Sequence, residues 1–81
     1  MNIDDLNLTD RQLEIWRMTA EGMTREQIAA VIFKSTSTVE NHRGKLYRIL
    51  GVRNAAEATR LAVARGVVPM EWAPVGAEVV A

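Results

Sequence analysis

One punctuation signal recurs along this chain: a hydroxyl- or amide-bearing residue followed three positions later by Gln or Glu. Thr9 precedes Gln12, Thr24 precedes Gln27, and Asn54 precedes Glu57. At this spacing the first side chain accepts from a free backbone N–H of the first helical turn and the Gln or Glu reaches back to the cap, so each pair marks a helix start. Gly22, Gly51 and Gly66 supply the stops, because a helix readily ends in a left-handed residue that glycine adopts without penalty. Starts and stops alternate at short intervals. They predict helices near 10–21, 25–33, 36–50 and 54–65, none much beyond the ~12–15 residues at which an isolated helix is still marginal in water. For the third start two serines qualify: Ser37 completes the pattern with Glu40, whereas Ser35 leaves a shorter turn. No strand alternation, internal repeat or low-complexity stretch is present. The chain therefore reads as all-α, a compact four-helix bundle whose members must share one core.

Apolar spacing indicates which faces meet. The second helix offers Ile28, Val31 and Ile32; the third Val39, His42, Leu46, Ile49 and Leu50; the fourth Ala58, Leu61 and Ala62. The first helix has two stripes, Ile15, Met18 and Thr19 beside Leu13, Trp16 and Ala20, and a helix apolar over that much surface has two neighbours. The tail contains two prolines, which forbid a long helix. Val67 and Val68 are expected to close the core, and Trp72 to lie against the first helix or a partner chain.

The second and third helices are separated only by a polar Ser/Thr-rich corner, which is the layout of a helix-turn-helix. Formal charge is zero over the 81 residues but unevenly spread. Residues 1–33 hold six acids and three bases (−3), residues 34–53 hold five bases and Glu40 (+4), and residues 54–81 hold three acids and two bases (−1). A positive field focused on the third helix and its borders suits a polyanion even when the total vanishes. The sequence has no cysteine and a single histidine, so disulfides are excluded and no thiolate or multi-histidine metal site is expected. No nucleophile–base pair is evident, so no enzymatic activity and no cofactor are expected. No apolar run approaches the ~20 residues of a membrane span, and the acidic start is wrong for a signal peptide, which points to the cytoplasm.

Read in order, Leu8-Thr9-Asp10-Arg11-Gln12, Ala20-Glu21-Gly22, Gln27-Ile28-Ala29, Ser35 to His42 and Leu50-Gly51-Val52 resemble the LuxR-type (GerE-type) DNA-binding domain. The likeness covers Leu8 to about Val68. It implies a four-helix domain at 9–68, with an N-terminal arm at 1–8 and an apolar C-terminal tail at 69–81, in which the third helix reads DNA and the fourth mediates dimerisation. Members of that family usually carry a sensing domain ahead of this module. Here eight residues precede it, so the chain resembles the stand-alone members or a fragment of a longer regulator. Gln12 and Gln27 stand where the family has glutamates, Lys34 where an apolar residue is common, and Gly44 lies within the reading helix.

If Val39, His42, Leu46 and Ile49 are buried, the opposite side of the third helix carries Ser37, Glu40, Asn41, Gly44, Lys45 and Arg48. Asn41 suits bidentate pairing with adenine and Glu40 acceptance from a cytosine amino group, each good pair contributing ~1–3 kcal/mol of discrimination. Glu40 can equally complete a capping box, and the two roles can coexist. Lys45 and Arg48 suit phosphates, as do Lys34 at the corner and the helix start at Thr36, Ser37 and Thr38. Gly44 costs ~1 kcal/mol relative to alanine inside a helix; either close approach to DNA or tight helix packing would account for it. Tyr47 flanks the face with a hydroxyl for phosphate. Arg43, at the edge of the buried side, can meet either a phosphate or an acid of the first helix. Ala56, Thr59 and Val63 form a small-residue face on the fourth helix suited to a two-fold dimer on an inverted repeat. The expectation is a sequence-specific, double-stranded-DNA-binding transcriptional regulator working as a homodimer. The alternative is a protein-interaction module of anti-activator type that binds another regulator through the first helix or the tail, a reading favoured by the zero net charge and by Glu40.

Overall fold

The structure is a computed structural model that describes residues 7–69. The arm at 1–6 and the tail from 70 onward, with Trp72, lie outside the described residues. Four helices follow one another: α1 (Asp10–Ala20), α2 (Arg25–Ile32), α3 (Thr36–Leu50) and α4 (Ala55–Ala64). There is no strand among the described residues.

The capping chemistry sets these boundaries. Thr9 Oγ1 accepts from the Gln12 amide at 3.1 Å while Gln12 Oε1 accepts from the Thr9 amide at 2.9 Å. Thr24 and Gln27 repeat the exchange at the same two distances. At α4 only half the box forms: Asn54 Oδ1 accepts from the Glu57 amide at 2.9 Å, but the Glu57 carboxylate accepts from Arg53, one residue earlier, at 2.8 Å. At α3 the cap is Ser35, whose Oγ accepts from the Thr38 amide at 3.2 Å. Ser37 is inside the helix and exposed, so the Ser37–Glu40 box is not made. The earlier start shortens the corner to Phe33 and Lys34.

α3 ends on Gly51 (φ 72°), and Val52 N–H returns to the Tyr47 carbonyl at 3.0 Å, satisfying a carbonyl of the last turn. α2 ends without a glycine. Phe33 occupies the left-handed seat (φ 58°, ψ 43°) while Lys34 N–H reaches the Ala29 carbonyl at 3.0 Å. An L-residue there costs roughly 1–2 kcal/mol, and the Phe33 ring is 91% exposed.

The core gathers around Trp16, which is fully buried with Ile15, Ile28, Val39 and Leu46. Its Nε1 donates to the Ala58 carbonyl at 2.8 Å and so ties α1 to α4. Ala58 and Ala62 are buried without remainder and let α4 approach closely. Val67 and Val68 close the core as expected. α1 packs on α3 and α4 and touches α2. Ile15, Trp16, Met18, Thr19 and Ala20 are all buried and Leu13 lies against the same cluster, so α1 keeps no free apolar face for a partner.

Burial expectations are corrected on three helices. Val31 is 54% and Ile49 42% exposed. α2 is centred instead on Ile28, Ala29 and Ile32. On α3 the buried line is Val39–Leu46, and at about 100° per residue Ile49 falls roughly 70–80° to one side of it; His42, on the same side, is half-buried. Thr59 is buried, with Oγ1 donating to the Ala55 carbonyl at 2.8 Å, and Val63 packs against the core edge. Of the small-residue face on α4 only Ala56 is exposed, because the side carrying Thr59 is turned inward.

The cap position is open to direct measurement. Ser35→Ala should destabilise the domain by ~1 kcal/mol in urea unfolding, and Ser37→Ala by much less. Equal losses would place the cap at neither serine alone.

Candidate nucleic-acid interface

α2 braces α3 through Ile28, Ala29 and Ile32, and with Val39 and Leu46 turned into the core the rotation of α3 is set. Ser37, Glu40, Asn41, Lys45 and Arg48 are consequently exposed along its outer side, with Gly44 half-exposed among them. Lys34 is exposed just before the helix, and Thr36 and Thr38 are half-buried in its first turn. The Thr38 hydroxyl lies 3.0 Å from Ser35 Oγ, so it is engaged in the cap. The face expected to carry recognition is thus presented as one surface, while Arg43 and Tyr47 stand at its flank.

An extended Cβ at Gly44 would meet nothing within 4 Å. Tight helix packing therefore does not explain this glycine, and the space above it is open. Arg43 pairs with no acid of α1; its guanidinium carbon sits 5.9 Å from the centre of the Tyr47 ring. The Tyr47 hydroxyl is buried without a hydrogen-bond partner rather than displayed on the surface.

Glu40 has a partner that sequence reasoning missed. Arg25, the first residue of α2, places Nη1 2.5 Å from Glu40 Oε1 and Nε 3.1 Å from Glu26 Oε2. The Glu26 carboxyl is held below the ordinary glutamate range chiefly by its hydrogen bond to this guanidinium. Arg25 belongs to the acidic first third of the chain, fifteen residues from Glu40 in sequence, yet the crossing of α2 over α3 brings its guanidinium to the outer face of α3. The available signal was Glu40 itself, a lone acid on a basic helix whose neighbour across the corner begins with a cation. The cluster of Arg25 with Glu26 and Glu40 carries one net negative charge, and Lys34, Lys45 and Arg48 outnumber it on this side of the molecule.

A helix braced by a shorter one and displaying polar and basic side chains over one exposed face defines the helix-turn-helix class. Residues 6–62 match the family of bacterial regulatory proteins called the luxR family, and the chain belongs to that family. It is 34% identical over 62 residues to the transcriptional activator protein PhzR of Pseudomonas fluorescens, covering 76% of this chain and 25% of that protein. It is 42% identical over 55 residues to a nitrate/nitrite response regulator protein homolog of Haemophilus influenzae, with 68% and 26% covered. Against the nitrate/nitrite response regulator protein NarP of Escherichia coli it is 41% identical over 54 residues, with 67% and 25% covered. The chain spans about a quarter of the length of these relatives. No solved structure matches it. Among the described residues no helix is long and apolar enough to cross a membrane.

The Arg25 cluster is exposed, so its contribution to stability is small and screened by salt. Because the folded-state pKa of Glu26 is depressed, its share is complete above the ordinary glutamate value and is lost as pH falls through the lowered one. Arg25→Ala should lower the melting temperature slightly at neutral pH and low ionic strength, and flatten the decline toward acid pH. In concentrated salt variant and parent should melt together.

Proposed function

We propose that this chain is a sequence-specific duplex-DNA-binding transcriptional regulator that lays α3 in the major groove and acts in the cytoplasm on the bacterial nucleoid. The observation that carries the reading is the outward display of Glu40, Asn41, Lys45 and Arg48 on a helix whose opposite side is locked in the core. The regulatory roles named for PhzR and NarP support it. Asn41 and Glu40 are the base readers. Arg48, Lys45 and Lys34 meet phosphates, together with the start of α3 at Thr36, Ser37 and Thr38. Gly44 lets the duplex approach the helix surface, since nothing of the protein fills the space of a Cβ there. Binding as a homodimer through the outward side of α4 completes the reading. Ala56 is exposed on that side, with Arg60 and Ala64, while Thr59 supports it only from within.

A protein-binding role keeps one specific support, the exposed apolar side chains of Phe33, Val31 and Ile49. The reading through α1 loses its support, because the apolar surface of α1 is spent on the core.

The test is DNA selection followed by fluorescence anisotropy. Arg48→Ala should weaken binding to the selected site and to random duplex alike. Asn41→Ala should weaken the selected site by roughly 1–3 kcal/mol and random duplex little. Equal losses on both DNAs would remove Asn41 as a base reader. Absence of binding by the parent protein at low salt would overturn the function.

A further inference from the structure

A shallow notch of about 350 Å³ opens on the flank of α3, walled by Glu40, Arg43, Gly44, Tyr47 and, across from them, Ala55 at the start of α4. Two of these residues carry the buried polar side-chain atoms that have no hydrogen-bond partner among the described residues, Arg43 Nε and the Tyr47 hydroxyl. Leaving such a group unpaired is costly, more so when it is charged, and native proteins rarely retain one without a reason. Here two occur one helical turn apart and touch through a cation–π contact. Arg43 Nε is a donor and cannot accept; the phenol can donate as well. An acceptor oxygen is the complement Arg43 Nε requires, and it would satisfy the phenol as well. The notch has room for one beside Gly44, where a Cβ would meet no atom within 4 Å. Its single acid, Glu40, has its carboxylate engaged from outside by Arg25.

We propose that this notch is the seat of one backbone phosphate of duplex DNA, with Arg43 and Tyr47 as its donors. The inference rests on the DNA-binding reading above and specifies a contact within it. The half-buried Arg43 side chain swings away from the Tyr47 ring to make a charge-assisted hydrogen bond to a phosphate oxygen, and this movement uncovers the Tyr47 hydroxyl, buried in the free protein, as second donor. A phosphate contact carries no base information, so this site contributes affinity and docking angle, not sequence choice.

The experiment compares parent, Arg43→Leu, Arg43→Lys and Tyr47→Phe by anisotropy on selected and random duplexes across a salt series, with thermal melts of each protein. Arg43→Leu should lose about tenfold in affinity on both DNAs and reduce the dependence of log affinity on log salt by about one. Arg43→Lys should restore the salt dependence, and Tyr47→Phe should weaken both DNAs while melting no lower than the parent. Unchanged affinity and salt dependence in Arg43→Leu, alongside normal DNA binding by the parent, overturns the seat and leaves the proposed function standing. If the parent binds no DNA, the function itself falls, and the notch is tested by NMR titration with inorganic phosphate. Saturable shifts of the Arg43 Nε–H and Tyr47 ring signals would then retain a free-anion site in place of a DNA contact, and their absence would remove the notch as a site altogether.

Discussion

Trp16 is the residue on which the arrangement turns. It lies fully buried in the middle of an eleven-residue helix, and its indole N–H donates 2.8 Å to the Ala58 carbonyl. A side chain of that size in a domain this small accounts for a large share of the apolar burial that offsets chain entropy. It also decides where α4 stands, because the hydrogen bond accepts only one placement of Ala58 while Ala58 and Ala62 remove any side chain that would hold α4 away. With α1 and α4 joined in this way, α3 packs against α1, and α2 lies across α3. None of these helices would be stable alone; each is held by the face it shares.

That packing determines the surface. Val39 and Leu46 commit one side of α3 to the core, and the opposite side is exposed as a consequence of helical geometry. Charge is reorganised by the same step. A chain with no net charge still produces a basic face, because Lys34, Lys45 and Arg48 are exposed on one side while Glu40 is engaged by Arg25. The luxR-family module thus presents a local potential that its composition does not announce.

The legible features were those governed by neighbours three or four residues apart. Thr9 with Gln12 and Thr24 with Gln27 form the boxes that their spacing predicts, and the helix boundaries follow within about a residue. The outer face of α3 was legible for the same reason, since a fifteen-residue helix repeats its period often enough to separate its two sides. Ser35 against Ser37 was not resolved by spacing, because both offer a hydroxyl; the tertiary turn selects the serine that leaves only three residues between α2 and α3. Val31 and Ile49 read as core because they are apolar at permitted positions, but each lies to one side of the buried line of its helix and is exposed.

Sequence by itself determined the type of the described helices, their ends apart from the start of α3, and the composition of the outer face of α3, because capping bonds and helical periodicity act within one turn and need no distant partner. Only tertiary structure decided which small residues of α4 are spent inside, that Arg25 reaches Glu40, and that Arg43 and Tyr47 come to wall one notch with their donors unpaired. Those outcomes depend on how two helices cross, and a crossing angle is set by the sum of all contacts between two surfaces, which no local spacing encodes.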